Sequence, residues 1–265
     1  MIEITGSTRI YGIVADPVVQ VKTPQTMRKV FERRGTDGVL VPMHVPPAGL
    51  RDLVQALRSM KNFGGMVVTV PHKTSMVSLC DVVTPEALAV GAVNIVRRES
   101  DGTLAGDILD GKGFVEGLSQ SGFKLEGLTV LLCGAGGAAR AIAFALAQAG
   151  IRKLSIHNRT QAAAQQILDG VKTLYPAVQT GLGSEDPSGF DFVVNATSLG
   201  MRAEDPLPLD TSRLVPTQVV AEIIMTPKLT SLLECAQAKG CRIQYGLPML
   251  ECQIEMMADF MGVAK

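Results

Sequence analysis

Neither sign of charge is in excess: 25 lysines and arginines balance 25 aspartates and glutamates over 265 residues. Without a basic surplus the chain lacks the electrostatic footprint of a nucleic-acid binder. No apolar run approaches the roughly 20 residues that a membrane-spanning helix needs. The opening segment, Met1-Ile2-Glu3-Ile4-Thr5-Gly6, has neither the basic nor the apolar stretch of a secretory leader. No membrane association and a cytoplasmic location are therefore expected. The five cysteines (Cys80, Cys133, Cys235, Cys241 and Cys252) are odd in number and show no CxxC spacing, which points to buried free thiols rather than disulfides or zinc. His44, His72 and His157 show no paired ligand spacing, so no metal is expected; His72 reads as loop packing. Repeats, low-complexity tracts and long linkers are also missing. What remains is a globular chain, 46% hydrophobic and 19% charged, long enough for one large or two modest domains.

Strand and helix signals alternate along it. Val39, Val41, Met43 and Val45 recur at every second position, as in a half-buried strand. Thr23 and Pro24 read as N-cap and first residue of a helix whose inner face carries Met27, Val30 and Phe31. Pro46-Pro47 precedes a second helix with a stripe of Leu50, Leu53, Val54 and Leu57, and residues 66–70 form a buried strand ended by Pro71. Farther on, strands are expected at 128–133, 154–157, 191–195, 219–224 and 242–245. Helices are expected at 138–149, 161–175, from about Pro227 to Lys239, and after Pro248. Such alternation implies parallel pairing through right-handed crossovers. The fold class is α/β with two domains: a substrate-binding domain over residues 1–107, completed by a C-terminal helical segment at 242–265, and a Rossmann-type doubly wound parallel sheet over 108–241, with a cleft between them. The methionines Met256, Met257 and Met261 are expected to pack the last helix on the first domain, while Glu251, Glu255 and Asp259 form a solvated face.

The segment Gly134-Ala135-Gly136-Gly137-Ala138-Ala139 follows an apolar run and opens a helical pattern. It matches the G-x-G-x-x-G/A form in the required strand–turn–helix context, where backbone N–H groups approach a pyrophosphate at a helix N-terminus. The bland alternative is a glycine-rich turn that packs a helix on a sheet. About twenty residues on, where an NAD enzyme places a carboxylate for the ribose 2′-OH, the chain reads His157-Asn158-Arg159-Thr160. An arginine there suits a 2′-phosphate through charge-assisted hydrogen bonds. NADP is favoured over NAD, against the alternative of an ordinary surface arginine.

Lys73 lies just beyond the strand that ends at Thr69-Val70-Pro71-His72, where α/β sites are usually built. Asp110 stands in a glycine-bracketed turn, Gly106-Asp107-Ile108-Leu109-Asp110-Gly111. A lysine paired with a carboxylate can hold a substrate hydroxyl and pass its proton as hydride leaves the carbon. Either residue alone also fits an ordinary surface charge, and spacing does not show that they meet.

Taken together these motifs, with Gly91-Ala92-Val93-Asn94, Asn195-Ala196-Thr197-Ser198-Leu199-Gly200-Met201 and Gly246-Leu247-Pro248-Met249-Leu250 plus Gln253, resemble the shikimate dehydrogenase family along nearly the whole chain. The resemblance implies that Lys73 and Asp110 are the catalytic pair and that Asn94 and Gln253 hold substrate hydroxyls. It also implies that residues 195–201, with Gly246 and Met249, flank the nicotinamide half of NADP.

Several positions depart from that family. The usual Ser-x-Ser that binds the substrate carboxylate is Val21 and Thr23 here, and a tyrosine with the same task is replaced by Met225. The family's Asn-Val-Thr and Asn-Thr-Asp are Val67-Val68-Thr69 and Ile108-Leu109-Asp110, and Ala162, Ala163 and Ala164 stand where many relatives carry a second arginine. A hydrogen bond to a charged group contributes roughly 1.5–3 kcal/mol, so losing two donors costs on the order of 10²- to 10⁴-fold in affinity, part of which Thr23 and Thr69 can recover. The expectation is an NADP-dependent oxidoreductase of a small cyclic hydroxy or keto compound, with kcat/KM for shikimate below about 10⁴ M⁻¹s⁻¹. The alternatives are a dehydrogenase of quinate or another ring alcohol, and a catalytically idle NADP-binding module. A monomer or homodimer with a small-molecule substrate is the expected state.

Overall fold

The computed structural model describes residues 4–19 and 21–264. Its chain divides into two compact units: the N-terminal part through Leu109 together with the segment from Gln253 onward, and Asp110–Cys252 between them.

The first unit runs β1 (Arg9–Ala15), α1 (Thr23–Arg34), β2 (Gly38–His44), α2 (Leu50–Ser59), β3 (Phe63–Val68), α3 (Lys73–Met76), β4 (Val82–Val83), α4 (Pro85–Val90), β5 (Ile95–Arg98) and β6 (Leu104–Asp107). Its six-stranded sheet has the order β2-β1-β3-β5-β6-β4. β3 is buried at all six positions, as a central strand covered on both faces must be. The helices lay their apolar stripes on it: Met27, Val30 and Phe31 from α1, and Leu50, Val54 and Leu57 from α2. The sequence pattern implied parallel pairing throughout, and here it is corrected. β5 runs antiparallel to both β3 and β6, because only residues 99–103 join β5 to β6. Five residues make a hairpin, closed here by the Glu99 amide to the Thr103 carbonyl at 2.8 Å, and cannot make a crossover. Two further expectations shift. Thr23 does not cap α1: the cap position is Lys22, without a side-chain bond, and Thr23 begins the helix. The strand expected to reach Val70 stops at Val68, and Val70 is exposed.

The second unit continues with α5 (Asp110–Gln120), β7 (Thr129–Cys133), α6 (Gly137–Gln148), β8 (Lys153–His157), α7 (Gln161–Leu174), β9 (Gln179–Leu182), β10 (Phe192–Asn195), β11 (Val219–Glu222), α8 (Ser231–Ala238), β12 (Arg242–Gln244) and α9 (Leu247–Phe260). Its sheet is parallel throughout, in the order β12-β11-β10-β7-β8-β9. The order reverses between β7 and β10, which makes their carboxyl ends the topological switch point. The segment 242–252, assigned from sequence to the N-terminal domain, is corrected: β12 pairs with β11 and so extends this second sheet. Only the part of α9 from Gln253 onward belongs with the first unit. Asp110, expected in a turn, is instead the first residue of α5. The glycines that suggested a turn serve packing: a Cβ on Gly111 would collide with the Ala141 carbonyl of α6, so only glycine allows the two helices this approach.

The end of α9 carries a second correction. Glu255 and Asp259 do not simply face water, because they pair with α1. Arg34 donates to Glu255 at 2.7 Å and to Asp259 at 2.9 Å, and Arg33 also pairs with Glu255. Met257 and Met261 are buried within this unit, whereas Met256 is half-buried. All five cysteines are free; Cys133, Cys241 and Cys252 are buried, and Cys80 and Cys235 are half-buried. Among the described residues no helix is long and apolar enough to cross a membrane.

Candidate active site

In the first unit the site residues gather at one edge of the sheet for a topological reason. β2, β1 and β3 are parallel, so their carboxyl ends lie on one side. β5 is antiparallel and therefore starts on that side, and β6, reversed again, ends there. Val21 and Thr23 follow β1, Thr69 and Lys73 follow β3, Asn94 immediately precedes β5, and the segment into Asp110 follows β6.

Backbone bonds tie these loops together. The Thr69 amide donates to the Val14 carbonyl at 3.1 Å, and the Asp16 amide donates to the Val70 carbonyl at 3.1 Å. The Val93 amide donates to the Lys73 carbonyl at 2.9 Å, and the Val68 amide donates to the Asn94 carbonyl at 2.8 Å. Asn94 is only 1% exposed, and its Oδ1 accepts from the Leu109 amide at 2.8 Å. That bond engages the acceptor end of the carboxamide and fixes which way the amide faces. Lys73 is half-buried as the first residue of α3, and Asp110 is buried. His72 is buried with its Nε2 2.8 Å from the Val45 carbonyl, a packing role that matches the sequence reading.

Two residues that sequence reasoning passed over hold this edge in shape. Asp107, 4% exposed, accepts from Thr84 Oγ1 at 2.5 Å and from the Ile108 amide at 2.7 Å, so the turn leading to Asp110 is pinned by a buried carboxylate. Thr84 also accepts from the Ala87 amide and so caps α4. The signal was available: a carboxylate and a threonine, each at the edge of an otherwise apolar stretch. Gln253 is buried on α9. Met225 lies in the other unit, exposed beyond the end of β11.

In the second unit the glycine loop sits at the switch point. Gly134 has φ +113°, which side-chain-bearing residues rarely adopt, and a Cβ there would lie 2.8 Å from the Ala196 carbonyl. The loops after β7 and β10 thus touch across the reversal. α6 opens on Gly136, which has no side chain to cap it, and a Cβ on Gly136 or Gly137 would meet nothing within 4 Å. That is open space in front of a positive helix end. Ala135 and Ala138 are half-buried beside it, and Arg140, one turn into α6, has a buried Nε without a hydrogen-bond partner among the described residues. At the end of β8, Asn158 donates to the Thr160 carbonyl at 2.9 Å and Arg159 is exposed. A pyrophosphate on the open loop and a 2′-phosphate at Arg159 fit these residues.

Beyond β10, Asn195 is fully buried and uses every bonding position of its carboxamide. Nδ2 donates to the Leu199 carbonyl (2.9 Å) and to Glu222 Oε1 (3.0 Å). Oδ1 accepts from the Thr197 amide (3.1 Å) and from the Thr197 hydroxyl (2.7 Å). Ala196 is buried, Thr197 half-buried and Ser198 exposed; Gly246 is buried after β12, and Met249 is half-buried on α9. Burial, with Glu222 and Glu185 nearby, pushes the Cys133 thiol up to about 12. The cysteine next to the glycine loop is therefore a packing residue, not a thiolate nucleophile. Among the described residues no cluster of three or more histidines, cysteines, aspartates or glutamates is arranged to hold a metal ion.

Sheet order, switch point and glycine loop define a Rossmann-type dinucleotide-binding protein joined to a second α/β unit. Residues 13–96 match the family model described as the shikimate dehydrogenase substrate binding domain, and residues 117–199 match the one described as shikimate / quinate 5-dehydrogenase. The chain is 37% identical over 261 residues to the shikimate dehydrogenase (NADP(+)) of Geobacter metallireducens, covering 96% of this chain and 91% of that one. Among solved structures it is similar to shikimate 5-dehydrogenase from Listeria monocytogenes in complex with shikimate and NAD, with a TM-score of 0.93 and 31% identity over 98% of this chain and 93% of that chain. It is also similar to the ligand-free 5-ketofructose reductase of Gluconobacter sp. strain CHM43, with a TM-score of 0.89 and 31% identity over 97% of this chain and 94% of that one. The chain belongs to the shikimate dehydrogenase family.

Proposed function

We propose that this protein is an NADP-dependent oxidoreductase that interconverts shikimate and 3-dehydroshikimate. The observation that carries the reading is the stitched edge of the first sheet. Backbone and carboxamide bonds tie the Lys73 loop, Asn94 and the residue before Asp110 into one rigid group. A lysine, a carboxamide and a carboxylate so held can grip neighbouring hydroxyls of a ring alcohol.

Lys73 Nζ accepts the proton of the reacting hydroxyl as that carbon becomes a carbonyl, and returns it in the reverse direction. Asp110 orients Lys73 and accepts from a substrate hydroxyl. Asn94 and Gln253 hold further hydroxyls, and Thr23 and Thr69 are left to bond the carboxylate. The residues that would hold NADP are the loop Gly134, Ala135, Gly136, Gly137 and Ala138 for the pyrophosphate, and Asn158, Arg159 and Thr160 for the 2′-phosphate. Asn195, Ala196, Thr197, Ser198, Gly246 and Met249 would flank the nicotinamide. When bound, NADP⁺ supplies the hydride acceptor at C4 of its nicotinamide.

A second reading is favoured by Val21 and Met225, which offer no hydrogen bond to a carboxylate. The same chemistry would then serve a ring alcohol with a less polar far end. The 5-ketofructose reductase shares this fold at a TM-score of 0.89, so the scaffold accommodates other substrates. Replacing Lys73 with alanine tests both readings. General acid–base catalysis contributes about 10²- to 10⁴-fold, so kcat should fall by that order while NADP⁺ affinity, measured calorimetrically, stays within about twofold. Retained turnover would remove Lys73 from the mechanism.

A further inference from the structure

Glu222 is a carboxylic acid with no exposed surface, and nothing in the chemistry above uses it. It ends β11, inside the apolar run Val219-Val220-Ala221, next to the carboxyl end of β10. Oε1 accepts twice, from Asn195 Nδ2 at 3.0 Å and from Thr230 Oγ1 at 2.9 Å, while Oε2 has no hydrogen-bond partner among the described residues. A buried carboxyl with one oxygen unpaired is a poor choice for stability alone, because an apolar residue of similar volume carries no desolvation cost. Burial raises its pKa, and the bonds from Asn195 and Thr230 oppose that rise only in part.

The position explains the cost. Asn195 folds residues 195–199 into a tight turn through three local bonds, and its remaining donor goes to Glu222. Thr230 in turn caps α8 by accepting from the Leu233 amide. One side-chain oxygen thus clamps the turn after β10 to β11 and to the start of α8, on the side of the sheet where Gly134 meets Ala196.

We propose that Glu222 is a positioning residue for the nicotinamide end of the dinucleotide site, acting through Asn195 on the turn at 195–199. The proposal rests on the reading that this turn flanks the nicotinamide. Removing the clamp loosens that end only; the glycine loop and Asn158–Arg159–Thr160, which hold the other end, are untouched.

The test compares two ligands by calorimetry: NADP⁺, and adenosine 2′,5′-bisphosphate, which lacks the nicotinamide. Glu222→Leu should weaken NADP⁺ binding about tenfold or more and leave the fragment within about twofold, while Glu222→Gln, which keeps an acceptor oxygen, should restore NADP⁺ affinity to within about threefold of the parent. Should the leucine variant not fold, Thr230→Val removes a donor to the same oxygen and should show a smaller loss with the same selectivity. Unchanged NADP⁺ affinity in a folded Glu222→Leu protein, or an equal loss for both ligands, overturns the proposal. Failure of the unsubstituted protein to bind either ligand would instead overturn the cofactor reading on which it rests.

Discussion

At position 21 a valine stands where relatives usually present a hydroxyl, on the loop that leaves β1 close to the Thr69 turn. An isopropyl group neither donates to a carboxylate nor pays to desolvate a partner, so its effect belongs in binding rather than in the chemical step. We expect Val21→Ser to lower KM for shikimate by about 10- to 100-fold with kcat little changed, the signature of uniform binding; steady-state kinetics at fixed NADP⁺ read both. An unchanged KM would place the carboxylate elsewhere. The residues proposed to touch ligands were legible in the sequence because they stand in ordered motifs beside strand ends: Lys73, Asn94, Asp110 and the glycine loop. Those that hold them were not. Asp107, Thr84 and Glu222 act through contacts that join segments 8 to 27 residues apart, and only the oddity of a carboxylate in an apolar run marks them.

Among the elements, α1 and the end of α9 show the same limit. Each reads correctly as a helix from its own period, yet the sequence left Glu255 and Asp259 facing water. Arg34, with its side chain only 8% exposed, meets both across more than 220 residues of chain and also donates to the Val263 carbonyl at 3.2 Å. Arg34→Met removes these bonds, and because both carboxylates are nearly half exposed they rehydrate, so the expected loss is about 1–2 kcal/mol in a denaturant titration. The pH dependence has a definite sign. Burial works against Glu255, but Arg34 and Arg33 hold its carboxyl below the ordinary value of 4.5. Its stabilisation is therefore present above pH 4.5 and is lost as pH falls through the lower folded value. The parent should lose more stability than Arg34→Met between neutral pH and pH 3; parallel losses would remove the pair from the acid response. The β5–β6 hairpin and the helical start at Asp110 escaped the sequence for local reasons. Arg97-Arg98 hides a short strand, and Gly111 and Gly113 look like a turn until a neighbouring helix demands small residues there.

For the whole molecule, each of the two units carries its own set of candidate residues: a sheet edge whose side chains are proposed to handle substrate hydroxyls in the first, and a parallel sheet with an open glycine loop at its switch point in the second. We assign cofactor choice to Arg159, which no second arginine closely follows in the sequence. We expect kcat/KM to be higher with NADP⁺ than with NAD⁺, and Arg159→Leu to erase most of the difference; a parent that prefers NAD⁺ would refute the assignment. The most direct measurement is NADP⁺ reduction by the purified protein with saturating shikimate, run beside Lys73→Ala. The account predicts turnover that depends on Lys73, with kcat/KM below about 10⁴ M⁻¹s⁻¹ because the carboxylate is weakly gripped. A folded, NADP⁺-binding protein that reduces the cofactor with neither shikimate nor quinate, or that works equally well without Lys73, would contradict it.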